Sequence, residues 1–415
     1  MTVLQRVWLV RGLRGFGDGC ISLVLPFYLI SIGLSPWQVG VIAAATMLGS
    51  GVLSLGVAFS EHRHGTRGLL LFAALLMAAT GVGFHAFSDF WPLFVVAFVG
   101  TINPSNGDVS LFLPLEHATI ASATQPHERA HAFARYSLVA AVCAAVGALS
   151  AGAPQWLADH AGLDMALSLK AVFLVYGLLG VVSFFIYRGL PRPTASLTLQ
   201  QRRGPPLKES RGIVLRLTAL FSLDSFSSGF TVQSLMVLWL YQRFELPITT
   251  AGTIFFCTSL ISALSFPAAA ALTHRIGAIR TMVFSQVPSI LMLLLIPFMP
   301  SLAWVVGLML LRSLIVSMDV PARSAFVMNA VTEHERTAAA SFTTVPKSLA
   351  GGISPSIAGW ILTLSSFGWQ IVASGVIKLI YISLLYRMFR NVEAEQAKKA
   401  RDEACAGGGT ISGGQ

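Results

Sequence analysis

A chain of 415 residues with 54% apolar residues, only 11% charged ones and a mean hydropathy of +0.71 lies outside the range of soluble globular proteins, where about a quarter of residues are charged. The composition is that of a membrane protein. The net charge of +10 would suit a nucleic-acid binder, but the cations fall in alternate loops between apolar runs, so lipid and not nucleic acid is the expected neighbour.

In a bilayer every backbone polar group has to be satisfied internally, and long apolar runs without strand-like alternation select helices over a barrel. An all-α membrane protein follows. Spans of roughly 20 residues divide the chain into about twelve. The first six are placed near Trp8–Ile32, Trp37–Phe59, Gly68–Phe87, Phe90–His117, His131–Leu157 and Met165–Tyr187. The second six are placed near Ile213–Leu240, Ile248–Leu272, Thr281–Phe298, Leu302–Phe326, Ala338–Leu364 and Trp369–Met388. With the N-terminus in the cytoplasm, nearly every Lys and Arg lies in a cytoplasmic loop or at a cytoplasmic span end. The exceptions are Lys170, Arg312 and Lys378 within spans and Arg243 in an outside loop. The positive-inside rule therefore places both termini in the cytoplasm of a multi-pass inner-membrane protein. The first apolar run is long, follows Arg6 directly and lacks a small-residue cleavage site, so it is expected to be retained.

In chain order, the first span carries Arg14 and Asp18, four residues apart and hence on one helix face, followed by Cys20 and Pro26. Asp18 is either a local partner of Arg14 or a titrating carboxylate on a transport path. The second span leads into a polar loop, Glu61-His62-Arg63-His64-Gly65-Thr66-Arg67. The fourth span is interrupted by Thr101-Ile102-Asn103-Pro104-Ser105-Asn106-Gly107-Asp108. Pro and Gly free backbone groups that are tolerated at depth only against protein or a watery cavity, so this helix is expected to be kinked and to line a cavity.

Residues 191–212, with Pro193, Pro205, Pro206, Arg202, Arg203 and Lys208, form a cytoplasmic linker between a six-helix unit over 1–190 and a second over 213–390. The stretch 391–415, ending in Gly-rich sequence, has too little apolar content to pack and is expected to be a disordered cytoplasmic tail. Cys20, Cys143, Cys257 and Cys405 show no close-spaced pair, so no structural disulfide is expected, and thiols packed in apolar spans are commoner than a metal site.

The two six-helix units are one pattern written twice. A shift of 212 residues carries His62-Arg63-His64-Gly65 onto His274-Arg275-Ile276-Gly277 and Gly40 onto Gly252. Asp224 takes the place of Asp18, Asp319 that of Asp108, and Lys378 that of Lys170. Because the shift carries inside loops onto inside loops, the repeats are parallel. This arrangement, over about residues 6 to 390, resembles the major facilitator superfamily. The family's loop signature, close to Gly-x-x-x-Asp-Arg-x-Gly-Arg-Arg, is matched by Arg63, Gly65 and Arg67, with His62 in the acidic position. Thr101 stands where many proton-coupled exporters of the family have an arginine, and the duplicate position is Arg312. Span five has Gly147-Ala148-Leu149-Ser150-Ala151-Gly152 in place of the exporter Gly-Pro-x-x-Gly-Gly, and span eleven keeps Pro355.

No nucleotide-binding, zinc-protease, serine-hydrolase or Cys-x-x-Cys motif is present, so neither an enzyme nor a cofactor or metal requirement is expected. An ion or substrate gradient would then drive transport, which makes ionisable groups within spans the first candidates. Asp18 and Asp224 are the proton-coupling candidates. Asn103, Arg312 and Lys378 are the substrate-cavity candidates. Arg63, Gly65, Arg67 and Asp108, with Arg275, Gly277 and Asp319, would form an ionic gate at the cytoplasmic side. The resemblance implies a monomeric secondary transporter using alternating access, with proton-coupled efflux (antiport) of a small molecule as the leading expectation. Import or exchange of small anions is the alternative, and a non-transporting sensor is a third.

Overall fold

The computed structural model describes residues 1–104, 110–125, 128–162, 164–191, 211–276, 278–319, 323 and 336–407, with the side chains of 57–64, 130, 161, 266–276, 278–279, 336–345 and 390–407 outside the described set. Among the described residues the secondary structure is entirely helical. The helices are α1 (Val3–Ser31), α2 (Pro36–Ala86), α3 (Phe90–Val99), α4 (Phe112–Ala123), α5 (Arg129–Ser150), α6 (Ala153–Ala161) and α7 (Met165–Arg188). They continue as α8 (Arg211–Gly229), α9 (Gln233–Phe244), α10 (Ile248–Ile276), α11 (Ala278–Leu295), α12 (Leu302–Val316), α13 (Arg336–Leu364) and α14 (Trp369–Gly407). Nine described stretches are long and apolar enough to cross a membrane, and α3 and α12 are shorter apolar helices.

Local chemistry sets the ends. Thr2 and Ser35 each close a capping box, with Gln5 and Gln38 reaching back to the cap amide, and Pro36 occupies the first turn of α2. The polar loop expected after the second span is a kink inside α2, turned at Gly65 with φ 68° and ψ 156°. A residue with a Cβ is strained in that backbone region, so the glycine is required where the chain reverses.

Two spans are broken. The fourth stops at Val99 and resumes at Phe112, as its Pro and Gly content predicts, and the seventh stops at Gly229 and resumes at Gln233. The second break was not expected. There Ser227 and Ser228 turn their hydroxyls back onto the Asp224 carbonyl, at 2.6 and 3.0 Å; such bonds compete with the helix ladder, and Gly229 follows. The breaks satisfy each other, because the Ser234 amide donates to the Pro104 carbonyl at 3.1 Å. The fifth span also divides, at Ala151-Gly152, with Pro154 in the first turn of α6.

α1 packs on α5, α2 on α7, α8 on α13, and α11 on α14, while α2–α13 and α5–α10 are the seams between the first seven helices and the last seven. Backbone meets backbone in the α1–α5 contact, where a Cβ on Gly19 would lie 2.1 Å from the Ala144 carbonyl oxygen and one on Gly147 2.0 Å from that of Phe16. Without a hydrophobic force between helices in lipid, such approach is what holds them. The α2–α13 seam repeats it, with a Cβ on Gly40 falling 2.8 Å from the Gly359 Cα.

We call the end of the bundle at the start of α1 the near end and the opposite end the far end. Across the far end, Phe27 stacks edge-on with Tyr241 at 5.1 Å and Thr249 bonds Gln155. A cleft of about 400 Å³ opens there, lined by Phe27, Ile30, Gln155, Met165, Leu169 and Tyr241 among others. The proposed linker is outside the described residues apart from its edges, and α14 runs on to Gly407 through the stretch expected to be a tail.

Candidate functional site

α1 begins at Val3, earlier than the hydropathy of the sequence suggests, so Asp18 lies near the middle of the helix. Its neighbour one turn back, Arg14, does not pair with it. Arg14 reaches α4 and the residues just before it instead, where Nη1 bonds Glu116 Oε2 at 2.8 Å and Nη2 bonds the hydroxyl of Ser110, ahead of the helix, at 2.7 Å. The guanidinium also lies 3.8 Å over the Phe112 ring. Glu116 receives two further bonds, from the Tyr187 hydroxyl to Oε1 at 2.5 Å and from the Tyr136 hydroxyl to Oε2. One carboxylate thus gathers α1, α4, α5 and α7, with Arg14 2% and Glu116 0% exposed. A buried ion pair is tolerable only when its remaining lone pairs and protons are satisfied in this way.

Asp18 is buried as well, yet among the described residues it makes no hydrogen bond or ion pair. The charges that act on it through space are Arg14, Arg11 and Glu116. Tyr176, from α7, lies close by, with its hydroxyl directed at the Thr101 carbonyl, 3.0 Å away in the break of the fourth span.

The counterpart of Asp18 sits in the opposite situation. Asp224 on α8 accepts from Lys378 Nζ on α14 at 3.0 Å through Oδ1 and from Arg323 at 2.8 Å through Oδ2. Arg323 also binds Asp319 at 2.5 Å, and Lys378 binds the Ser228 hydroxyl at 2.9 Å. Two carboxylates and two cations therefore close a network that ties α8 and α14 to the residues after α12, with Arg323 flanked by the rings of Phe221 and Tyr381.

The structure thus brings together Asp224, Lys378 and Asp319, which the sequence assigned to three different roles. Arg312 remains apart on α12; its Nε is buried, and among the described residues the side chain has no hydrogen-bonding partner. Asn103 is buried in the break between α3 and α4 and is not free. Of the expected gate, Gly65 forms the kink in α2 and Arg67 donates to the Arg188 carbonyl at 2.6 Å. Asp108, Gly277 and the side chains of Arg63 and Arg275 lie outside the described residues. Lys170, the counterpart of Lys378, reaches the far-end turn and bonds the Ser88 hydroxyl at 2.8 Å. Arg243 caps the far-end carbonyls of Phe367 and Met299.

Glu116, Arg323, Tyr136 and Tyr187 were missed. An acid within an apolar run calls for a partner, but Glu116 read as a span end, and its partner is 102 positions away. Arg323 follows Asp319 by four residues, a spacing that already signals a helical ion pair.

Comparison with known proteins adds the lineage. The sequence profile described as Major Facilitator Superfamily matches residues 7–243 and 219–406. An uncharacterized membrane protein of Saccharomyces cerevisiae is 25% identical over 95% of this chain and 96% of its own length. Among solved structures, a bacterial homolog of the human lysosomal transporter Spinster, in an inward-facing and occupied conformation, is similar at a TM-score of 0.74 and 14% identity, covering 94% of this chain and 96% of its own. The nucleoside transporter NupG is similar at 0.70 and 12% identity over 94% and 99%. The human organic anion transporter MFSD10 is similar at 0.66 and 18% identity over 92% and 98%.

Proposed function

The chain belongs to the major facilitator superfamily, and from that premise we propose that this membrane transport protein, which is not an enzyme, moves a small molecule by alternating access coupled to protons at Asp18. The state of Asp18, which has no hydrogen-bond or ion-pair partner among the described residues, carries the reading. A carboxylate in mid-helix with no cation in contact can exchange a proton with whichever side the cavity faces, and a carboxylate clamped by two cations cannot. Asp224 is of the second kind, so the duplicated acids divide the work. Asp18 titrates, and Asp224 braces the last seven helices as a unit through Lys378 and Arg323.

The topology that supports efflux is the one the basic loops favour, with both termini in the cytoplasm of the inner membrane. The near end is then cytoplasmic, and the Phe27–Tyr241 and Gln155–Thr249 contacts bridge the outer side beside the cleft of about 400 Å³ that opens there. In a state open to the near end, a compound would enter from the cytoplasm. Proton binding to Asp18 from outside would follow release of the compound, which makes the cycle an antiport.

A second reading, transport of an anion, is favoured by Arg312. Its guanidinium, half-buried with Nε out of contact with solvent, stays charged and calls for an acceptor, and a substrate carboxylate or phosphate would supply one. Likeness in fold to an organic anion transporter is compatible with it.

The test is uptake of a panel of labelled cationic, neutral and anionic compounds into proteoliposomes, with and without an imposed pH gradient. Accumulation against the concentration gradient only when the pH gradient is present is the expected result. Equal filling with and without it would refute proton coupling, and selective accumulation of anions would favour the second reading.

A further inference from the structure

We propose that Glu116 is the positioning residue that keeps Asp18 open to a proton, by holding Arg14 on α4. The inference rests on Asp18 as the coupling site and adds what sets that site.

Arg and Asp four residues apart on a helix ordinarily meet. Here both arms of the Arg14 fork are engaged, Nη1 by Glu116 and Nη2 by Ser110, and its flat face is against Phe112. Glu116 is in turn held by hydroxyls from two other helices, Tyr136 of α5 and Tyr187 of α7. That binding fixes the acceptor where Arg14 finds it and turns the guanidinium away from its own helix neighbour.

The groups facing Asp18 show what would happen otherwise. On α1 they are Arg11 and Arg14, with Arg11 lying 5.0 Å from the Tyr136 ring. α4 contributes Glu116. α7 contributes Tyr176, whose hydroxyl is directed to Thr101. α5 faces this part of α1 with the backbone of Ala140 and Ala144, against Gly15 and Gly19. Arg14 is thus the cation nearest in sequence to Asp18, and Glu116 the acid that occupies it. Asp224, bridged to Lys378 and Arg323, displays the clamped alternative within the same molecule.

Replacing Glu116 by Gln removes the negative charge that competes for Arg14 and frees the guanidinium to swing one turn along α1. Both changes favour the Asp18 carboxylate over the acid, so protonation needs a lower pH. An opposite charge brought into contact moves such a titration by about 1–3 pH units.

The experiment is an infrared titration of the purified protein that follows the protonated-carboxyl stretching band lost in Asp18→Asn. In Glu116→Gln the band is expected to appear at a pH about 1–3 units lower, and in Arg14→Gln/Glu116→Gln that shift is abolished. Ser110→Ala, which frees only Nη2, gives a smaller shift in the same direction and serves as the test should Glu116→Gln not fold. An unchanged midpoint in the variant that folds, or the same shift with Arg14 absent, overturns the proposal. Because the readout is a titration, transport that stays gradient-driven in Asp18→Asn would defeat the coupling assignment and leave the competition for Arg14 standing. An unmoved band would do the reverse.

Discussion

The two duplicated acids are chemically alike and occupy matching helices, yet neutralising them should have opposite consequences for stability. Asp224→Asn removes the negative charge between Lys378 Nζ and Arg323, at 3.0 and 2.8 Å. Breaking a buried pair by removing one partner costs about 3–5 kcal/mol, since the other charge is left uncompensated. Arg323 keeps Asp319 and Lys378 keeps only the Ser228 hydroxyl, so the cost should fall at the lower end, about 3 kcal/mol. Asp18→Asn removes no contact among the described residues and takes a charge out of the interior, so it should leave stability unchanged or raised. Thermal unfolding of the purified proteins in one detergent measures both. The expected order is Asp224→Asn several degrees below wild type and Asp18→Asn at or above it. A double-mutant cycle with Lys378→Met should give a coupling of at least about 1 kcal/mol between positions 224 and 378. Equal melting temperatures for the two Asn variants, or zero coupling in the cycle, would refute the division of roles.

The reason this contrast escapes the sequence is physical. Helix class follows from hydropathy, and the interruption of the fourth span from Pro and Gly, because these act through the local backbone. Partner choice does not. The spacing of Arg14 and Asp18 is that of a local pair, and a tertiary contact with Glu116, 102 residues on, overrides it. Asp224, Lys378 and Asp319 likewise took separate roles because depth along a span says nothing about rotation toward a neighbour, and Arg323 joins them only once the helices are packed. The break before α9 had a local signal in Ser227-Ser228-Gly229, one that counts of apolar residues overlook.

Other expectations bear on the remaining charges and on orientation. Arg312→Lys keeps the charge and loses the bidentate fork; if the substrate is an anion, uptake of anionic compounds should fall about tenfold, as expected for roughly 1.4 kcal/mol of lost binding, with neutral compounds unaffected. A uniform loss with a lowered melting temperature would return Arg312 to the scaffold. For topology, single cysteines placed by His64→Cys, Lys208→Cys and His334→Cys in a cysteine-free background should react with impermeant maleimide only from the cytoplasm, and Arg243→Cys only from outside; labelling of the position 64 cysteine from outside would overturn the orientation. Gly19→Leu should prevent assembly of α1 on α5, since even a Cβ there lies 2.1 Å from the Ala144 oxygen, and near-normal yield of folded protein would show that the helices separate at little cost.

The central claim, that Asp18 carries the coupled proton, is tested most directly by comparing two modes of transport in one preparation. Wild-type protein and Asp18→Asn are reconstituted into proteoliposomes with a compound the wild type accumulates. Each is then assayed for gradient-driven accumulation and for counterflow exchange at equal pH on both sides. An amide cannot cycle a proton, so the variant should lose accumulation while retaining exchange. Accumulation in Asp18→Asn at the wild-type level and with the wild-type pH dependence would contradict the account and place the proton route elsewhere.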